Sequence, residues 1–361
     1  MKRIVICCDG TWNQPDQKAG GAPSPTNVVK LAALVPPLGA GVEQRILYHR
    51  GIGSEESALR KWIEGATGLG ITRALVECYR WLVRNYRPGD ELYFFGFSRG
   101  AYTARSLAGF VRNSGIVRPE HEDRIPRALA LYRSRDPRAH PRAAASRLFR
   151  QSYSWSERIP IRCIGVWDTV GALGVPNTLI QGALKHLFRF KREFHDTDLS
   201  STVEFAFHAI AIDERRRPFR PTLWTQSDQA TTAGQHVEQV WFPGCHADVG
   251  SGNAASGLSD LALAWMVDRA RLAGLIINSP DHIGPPDFAA FRPEALGPVT
   301  ESLTLFYRLL FPSGVRCIAG GGAASESLSD AARSRWRSLP SWRPPALVDY
   351  DRRHPGDLPT S

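Results

Sequence analysis

The chain of 361 residues predicts an α/β fold, with a mostly parallel central sheet flanked by helices. Three observations carry that expectation: short apolar runs recur along the chain, stretches with apolar residues at helical spacing lie between them, and glycine-containing turns separate the two kinds. Parallel strands covered on both faces read as continuous apolar runs, whereas the helices over them need only one apolar stripe.

The elements follow in order. Ile4-Val5-Ile6-Cys7-Cys8 is expected as the first strand and residues 45–50 as a further candidate. Over residues 54–86 a helical spacing (Leu75, Val76, Tyr79, Leu82, Val83) stops before Pro88-Gly89, which cannot continue a helix. Residues 92–95, 161–167 and 237–242 are apolar enough for buried strands, and 203–212 is another candidate; helices are expected over 99–111 and 259–272. Two stretches break the rhythm, 118–158 with its Arg, Ala and Pro, and 176–200; placed between sheet elements, they are expected as cap-like insertions over the site. One catalytic domain is therefore expected over residues 1–280. Beyond it, 281–361 is a partly irregular C-terminal extension rich in Pro, Gly and Ser, periodic only at 302–310 and loosest from Arg343 onward. No internal repeat is visible.

Composition narrows the function classes. With 43% hydrophobic residues the chain can bury a large core. Lys and Arg number 45 against 35 Asp and Glu, a net charge of +10 that favours contact with anionic surfaces such as phospholipid headgroups. The Arg-rich stretches at 118–150 and 333–353 do not interleave aromatic and basic residues as a nucleic-acid module does, so no nucleic-acid partner is expected and a solvated basic face is the plainer reading. Six cysteines form no CxxC pair, which leaves neither a zinc cluster nor a redox motif; they read as buried, reduced thiols. The first apolar run is far shorter than a signal peptide requires, so a cytoplasmic location is expected, with signal-independent export equally compatible, and no run approaches the ~20 apolar residues of a membrane span. Oligomeric state leaves no trace in the sequence.

The chemistry centres on Gly96-Phe97-Ser98-Arg99-Gly100. Gly-x-Ser-x-Gly is short, and its weight comes from its flanks: an apolar strand run before it and a helical pattern after it, the arrangement of a nucleophile elbow in an α/β-hydrolase-like fold. A serine there sits on a strained turn, and only small residues two before and two after it avoid collision. A serine hydroxyl needs a base, and the base needs an orienting carboxylate, in the chain order Ser, acid, His. His246 meets this order, following the strand run 237–242 in the glycine-rich loop Phe242-Pro243-Gly244-Cys245-His246-Ala247-Asp248-Val249-Gly250; His208, inside a strand-like run, reads as a core residue. Asp168, at the end of the run 161–167, is favoured as the acid, with Asp213 the alternative and Asp248 a loop-shaping residue. Backbone donors for an oxyanion are expected from Arg99 and from the loop after the first strand at Gly10 and Thr11, with Asp9 pinning that loop. No metal and no organic cofactor are called for.

Several segments together resemble the type VI secretion phospholipase-effector catalytic-domain family of α/β-hydrolases, formerly an uncharacterised conserved domain. They are Cys8-Asp9-Gly10-Thr11-Trp12-Asn13, Gly96-Phe97-Ser98-Arg99-Gly100-Ala101, Trp167-Asp168-Thr169-Val170-Gly171, Ala211-Ile212-Asp213-Glu214-Arg215, and the loop from Trp241 to Gly250, spanning roughly residues 3–275. The resemblance implies a Ser98–Asp168–His246 triad and an activity on glycerophospholipid acyl esters. The expected function is thus a serine hydrolase that cleaves carboxylic esters through an acyl-enzyme. Its competitor is a catalytically inactive binding protein on the same fold. A dinucleotide-binding module has only Gly65-Ala66-Thr67-Gly68-Leu69-Gly70 in its favour, which departs from GxGxxG and follows no strand.

Overall fold

A computed structural model describes every residue except 11, 12, 15, 20, 52–68, 171–198, 233, 284–289, 304–312, 321–324 and 359–361. In chain order its sheet strands are β1 (Arg3–Cys8), β2 (Leu38–Gly39), β3 (Val42–His49), β4 (Glu91–Phe97), β5 (Ile161–Trp167), β6 (Val203–Ala211), β7 (His236–Phe242) and β8 (Glu326–Leu328). They form one eight-stranded sheet in the order β8-β7-β6-β5-β4-β1-β3-β2. Every pairing is parallel except that of β2 with β3, which are joined by a hairpin whose two loop residues, Ala40 and Gly41, both have positive φ. The fold class matches the expectation: a mostly parallel sheet between helices.

Strand pleating divides the core. Ile4, Ile6, Cys8, Leu92 and Phe94 face one side and pack with α2 (Leu69–Asn85) and α3 (Arg99–Ser114). Val5, Cys7, Tyr93, Phe95 and Phe97 face the other and meet α1 (Asn27–Leu34) and α7 (Gly257–Leu272). Both faces being covered is why the strands read as unbroken apolar runs. Five cysteines are buried, as expected, and Cys317 is exposed.

The stretch 118–158 forms α4 (Ile125–Arg133) and α5 (Ala144–Tyr153). Several of its anchors lie at the far end of α3, where Asn113 donates to Ala139 O at 2.9 Å, Arg150 donates to Asn113 O at 2.6 Å, and Ser154 Oγ donates to Ile116 O at 2.9 Å, while Arg133 at the end of α4 donates to Thr72 Oγ1 in the first turn of α2. At 1.5 Å per residue, the far end of α3 lies about 24 Å from Ser98. The other stretch expected as a cap, 176–200, falls outside the described residues up to 198, as does the glycine spacing up to 68 and the periodic stretch from 304.

One expectation changes, in the extension after residue 280. It supplies the edge strand β8 and two helices, α8 (Asp330–Ser338) and α9 (Pro345–Arg353), so the chain is helical where it was expected to be loosest. Ile318, Leu328, Trp336, Trp342 and Leu347 form a third core cluster with Ile210, Ile212 and Trp241 of the sheet. Sparse apolar residues, mostly Trp and Leu, do this; their large buried area per residue holds down a stretch whose average composition looks loose.

Candidate active site

The strand order reverses at β1, whose neighbours β3 and β4 are reached by chain segments going opposite ways. In an open parallel sheet the crevice beyond the carboxyl ends at such a point is where a site is built. Asp9-Gly10 leave β1 there and Ser98 leaves β4.

Ser98 caps α3 with φ 57° and ψ −120°, the strained conformation of an elbow. Its backbone N–H donates to Trp167 O at 3.0 Å and its carbonyl accepts from Tyr102 N at 3.2 Å, which pins the turn between β5 and the first helical turn. The flanking glycines are sterically required. A Cβ on Gly100 would lie 2.1 Å from Cys8 O, and one on Gly96 would lie 2.5 Å from Gly100 O. Among the described residues the Ser98 hydroxyl makes no hydrogen bond, so it faces the crevice unengaged, as apo nucleophiles often do.

Asp168 follows β5 directly and also has positive φ, 39°. Its Oδ2 accepts from His246 Nδ1 at 2.5 Å, and Ala211 N donates to Oδ1 at 3.0 Å. Arg316 closes on both oxygens, Nη1 to Oδ1 at 2.6 Å and Nη2 to Oδ2 at 2.9 Å. Burial alone would raise the Asp168 carboxyl; the Arg316 charge and then the His246 bond outweigh it and hold the group well below the usual carboxylate range. An ionised carboxylate only accepts, so Nδ1 of His246 carries the proton and Nε2 is left as the basic nitrogen.

His246 opens the short helix α6 (His246–Gly250) after β7. Its ring lies against Phe97 at 4.6 Å and edge-on to Phe219 at 5.0 Å between centroids. Its N–H reaches Glu214 Oε2 at 3.3 Å, and Glu214 is itself paired with Arg216, Nη2 to Oε2 at 2.8 Å. The loop is tied to α1, where Asn27 Nδ2 donates to Val249 O at 2.9 Å and to Ser259 O at 2.8 Å. Asp248 accepts from Cys245 N and Thr300 N, both at 2.9 Å, and so shapes the loop as expected.

The remaining candidates fall elsewhere. Asp213 accepts from Gly244 N at 2.6 Å and from Trp342 Nε1 at 3.0 Å, away from the imidazole. The Gly10 N–H donates to Asp9 Oδ1 at 2.6 Å, so Asp9 pins the loop through it. The close spacing follows from Asp9 being a hub, since its Oδ2 also accepts from Thr26 Oγ1 and Tyr48 Oη, each at 2.7 Å. Burial raises the Asp9 carboxyl despite these donors, because none of them carries a charge. Thr11 lies outside the described residues. Arg99 opens α3, where backbone N–H groups and the positive end of the helix dipole point out of the helix. His208 is fully buried, pushed down to about 3 by burial, and its Nε2 accepts from Thr169 N at 3.1 Å, which makes it a neutral core residue that holds the chain just past Asp168. No cluster of His, Cys, Asp and Glu able to hold a metal is found among the described residues.

Sequence reasoning missed Arg316, Glu214 and Phe219. Glu214 stood unassigned inside a quoted motif. The single trace of Arg316 was a cation in the otherwise apolar Val315-Arg316-Cys317-Ile318.

Comparison with known proteins places the chain. Uncharacterized protein YEL023C of Saccharomyces cerevisiae is 27% identical over 243 residues, 62% of this chain and 33% of that protein, so the chain spans about a third of that relative's length. A crystal structure of an uncharacterized protein from Pseudomonas aeruginosa aligns over 81% of this chain and 49% of its own, at 19% identity and a TM-score of 0.44. The family described as T6SS, phospholipase effector Tle1-like, catalytic domain matches residues 2–269, the segment that holds Ser98, Asp168 and His246. The chain belongs to this family of Tle1-like phospholipase effector catalytic domains.

Proposed function

We propose that the protein is a serine hydrolase that cleaves carboxylic esters, phospholipid acyl esters first among them, by way of an acyl-enzyme. The observation that carries this reading is the buried His246–Asp168 bond of 2.5 Å at the same sheet edge as the strained Ser98. The family's phospholipase designation supports the lipid ester as substrate.

In this mechanism His246 Nε2 takes the Ser98 proton as Oγ attacks the ester carbonyl. The tetrahedral oxyanion develops at the N-terminus of α3, where Arg99 opens the helix and the dipole favours negative charge. The imidazolium, held by Asp168, returns its proton to the departing alcohol, in a phospholipid the lysolipid. A water then attacks the acyl-enzyme with His246 again as base and releases the fatty acid. The net +10 charge favours encounter with an anionic lipid surface.

Reaction with a fluorophosphonate probe tests the nucleophile. Wild type is expected to be labelled and Ser98→Ala not, with kcat/KM for p-nitrophenyl butyrate falling at least about 10⁴-fold. Equal labelling of both proteins defeats the hydrolase reading and leaves the inactive-binder reading standing. Fatty-acid release from phosphatidylglycerol or phosphatidylcholine vesicles, set beside the short ester, distinguishes a lipid esterase from a general one.

A further inference from the structure

The contacts that orient the base converge on a side chain outside the segment matched to the family. Arg316 is 5% exposed and lies beyond residue 269. Besides gripping both Asp168 oxygens, its Nη1 donates to Ala211 O at 2.7 Å and its Nη2 to Phe219 O at 2.5 Å. It therefore ties together the end of β5, the end of β6 and the turn that presents Phe219. We propose that Arg316 is a positioning residue for the acid–base pair: it fixes the Asp168 carboxylate on His246, seats the Phe219 wall against the imidazole, and offsets the carboxylate's charge. This inference rests on reading Ser98, Asp168 and His246 as a triad.

The geometry explains why a guanidinium does this. A fork on both carboxylate oxygens fixes the plane of the group, and a fixed plane keeps Oδ2 aimed at His246 Nδ1. Without it, among the described residues only Ala211 N and the imidazole itself would restrain rotation of the carboxylate. The Phe219 carbonyl is held by the same side chain and its N–H by Arg216 O at 2.8 Å, while Arg216 lies 3.7 Å over its ring and Glu214 holds both Arg216 and the His246 N–H. The imidazole is thus clasped between Phe97 and Phe219, and one of the two jaws is hung on Arg316.

Charge makes the role separable from a purely structural one. The charged groups around His246 are Asp168 at the end of β5, Glu214 and Arg216 in the turn after β6, and Arg316. An Asp168 carboxylate shared with a guanidinium attracts the imidazolium less than a bare one does. Removing the guanidinium strengthens that attraction and moves the acidic limb of the rate profile toward higher pH. A residue that merely neutralised a buried carboxylate for folding would cost stability and leave kcat in the folded variants unchanged, including Arg316→Lys, which keeps the charge.

The test is kcat/KM and kcat for p-nitrophenyl butyrate across about pH 5 to 9 on the full chain, comparing wild type, Arg316→Met, Arg316→Lys and Ser98→Ala, with near-ultraviolet circular dichroism as the check on folding. Arg316→Met is expected to lose about 10- to 100-fold in kcat and to shift its acidic limb up by about one pH unit. Arg316→Lys keeps the charge and loses the fork, so its limb stays in place while kcat falls several-fold. A folded Arg316→Met with wild-type kcat and limb overturns the inference. Should that variant fail to fold, a wild-type kcat in Arg316→Lys overturns it instead. If Ser98→Ala still turns over the ester, the triad reading fails and the role of Arg316 falls with it, whereas an inactive Ser98→Ala beside unaffected Arg316 variants sinks the Arg316 role alone.

Discussion

Two aspartates close neighbouring strands, Asp168 after β5 and Asp213 just past β6, and the sequence offers both as partners for the same histidine. Burial pushes both carboxyls upward. Asp168 meets a guanidinium and an imidazole directly and ends well below the usual range, whereas Asp213 bonds a peptide N–H and an indole N–H, feels Arg335 and Asp248 as lesser, opposing charges, and ends above it. Neutral donors soften desolvation; a counter-charge reverses it. Position at a strand end therefore does not settle which carboxylate can hold an imidazolium in a dry site. The cation that settles it comes from a distant part of the chain. Asp213 serves as a latch, binding the turn after β7 on one side and Trp342 on the other.

The contrast breaks most visibly at Asp168. Asp168→Asn presents an amide where the carboxylate was, disturbs the His246 tautomer, and is expected to lower kcat/KM by about 10⁴-fold. It also strands the Arg316 charge, costing about 3–5 kcal/mol in urea unfolding. If Asp213→Asn lost more activity than Asp168→Asn, the two roles would be reversed. The expected loss for Asp213→Asn is within about threefold, since Asp213 makes no bond to the imidazole; Gly244 N and Trp342 Nε1 sit on different oxygens, so the amide keeps one of these two donors and loses the other.

Stability against pH separates the pair by sign. Asp168 is lowered in the fold, so its contribution is present above the unfolded carboxylate value, about 3.9, and is lost as pH falls below it toward the depressed folded value. Asp213 is raised, so its contribution is full below that unfolded value and is lost as pH rises through the folded one. Urea midpoints across this range should flatten on the acid side in Asp168→Asn and lose their decline on the neutral side in Asp213→Asn. The same slope in wild type and both variants would remove the charge argument. The smallest effect belongs to Trp342→Phe, which takes one donor from Asp213 and should cost about 1–2 kcal/mol with kcat unchanged.

That Ser98, Asp168 and His246 share one sheet edge was legible because each stands where an apolar run stops, and in a parallel sheet those stops lie together. Glycines around Ser98 added a steric signal of their own. Arg316 and Phe219 were not legible, because their roles exist only once the segment after 280 folds back on the strand ends, and no local period records that. The stretch 118–158 links the end of α3 to the start of β5, a helix-to-strand connection that begins and ends at the amino edge of a parallel sheet, and its two helices were not legible because Arg, Ala and Pro mask their apolar spacing. The bond from the Gly10 N–H to Asp9 Oδ1 was not legible either, because the sequence does not say which N–H a pinning carboxylate takes.

The sheet ends as abruptly as it begins, with β8 three residues long and β2 two. β8 also carries Glu326, whose carboxylate is occupied by Trp241 Nε1 at 3.0 Å and Ala319 N at 2.9 Å. Rows of backbone groups this short give a second copy little to add a strand to. A long bare edge on so largely apolar a sheet would be a template for strand addition, and its blunt ends remove that template.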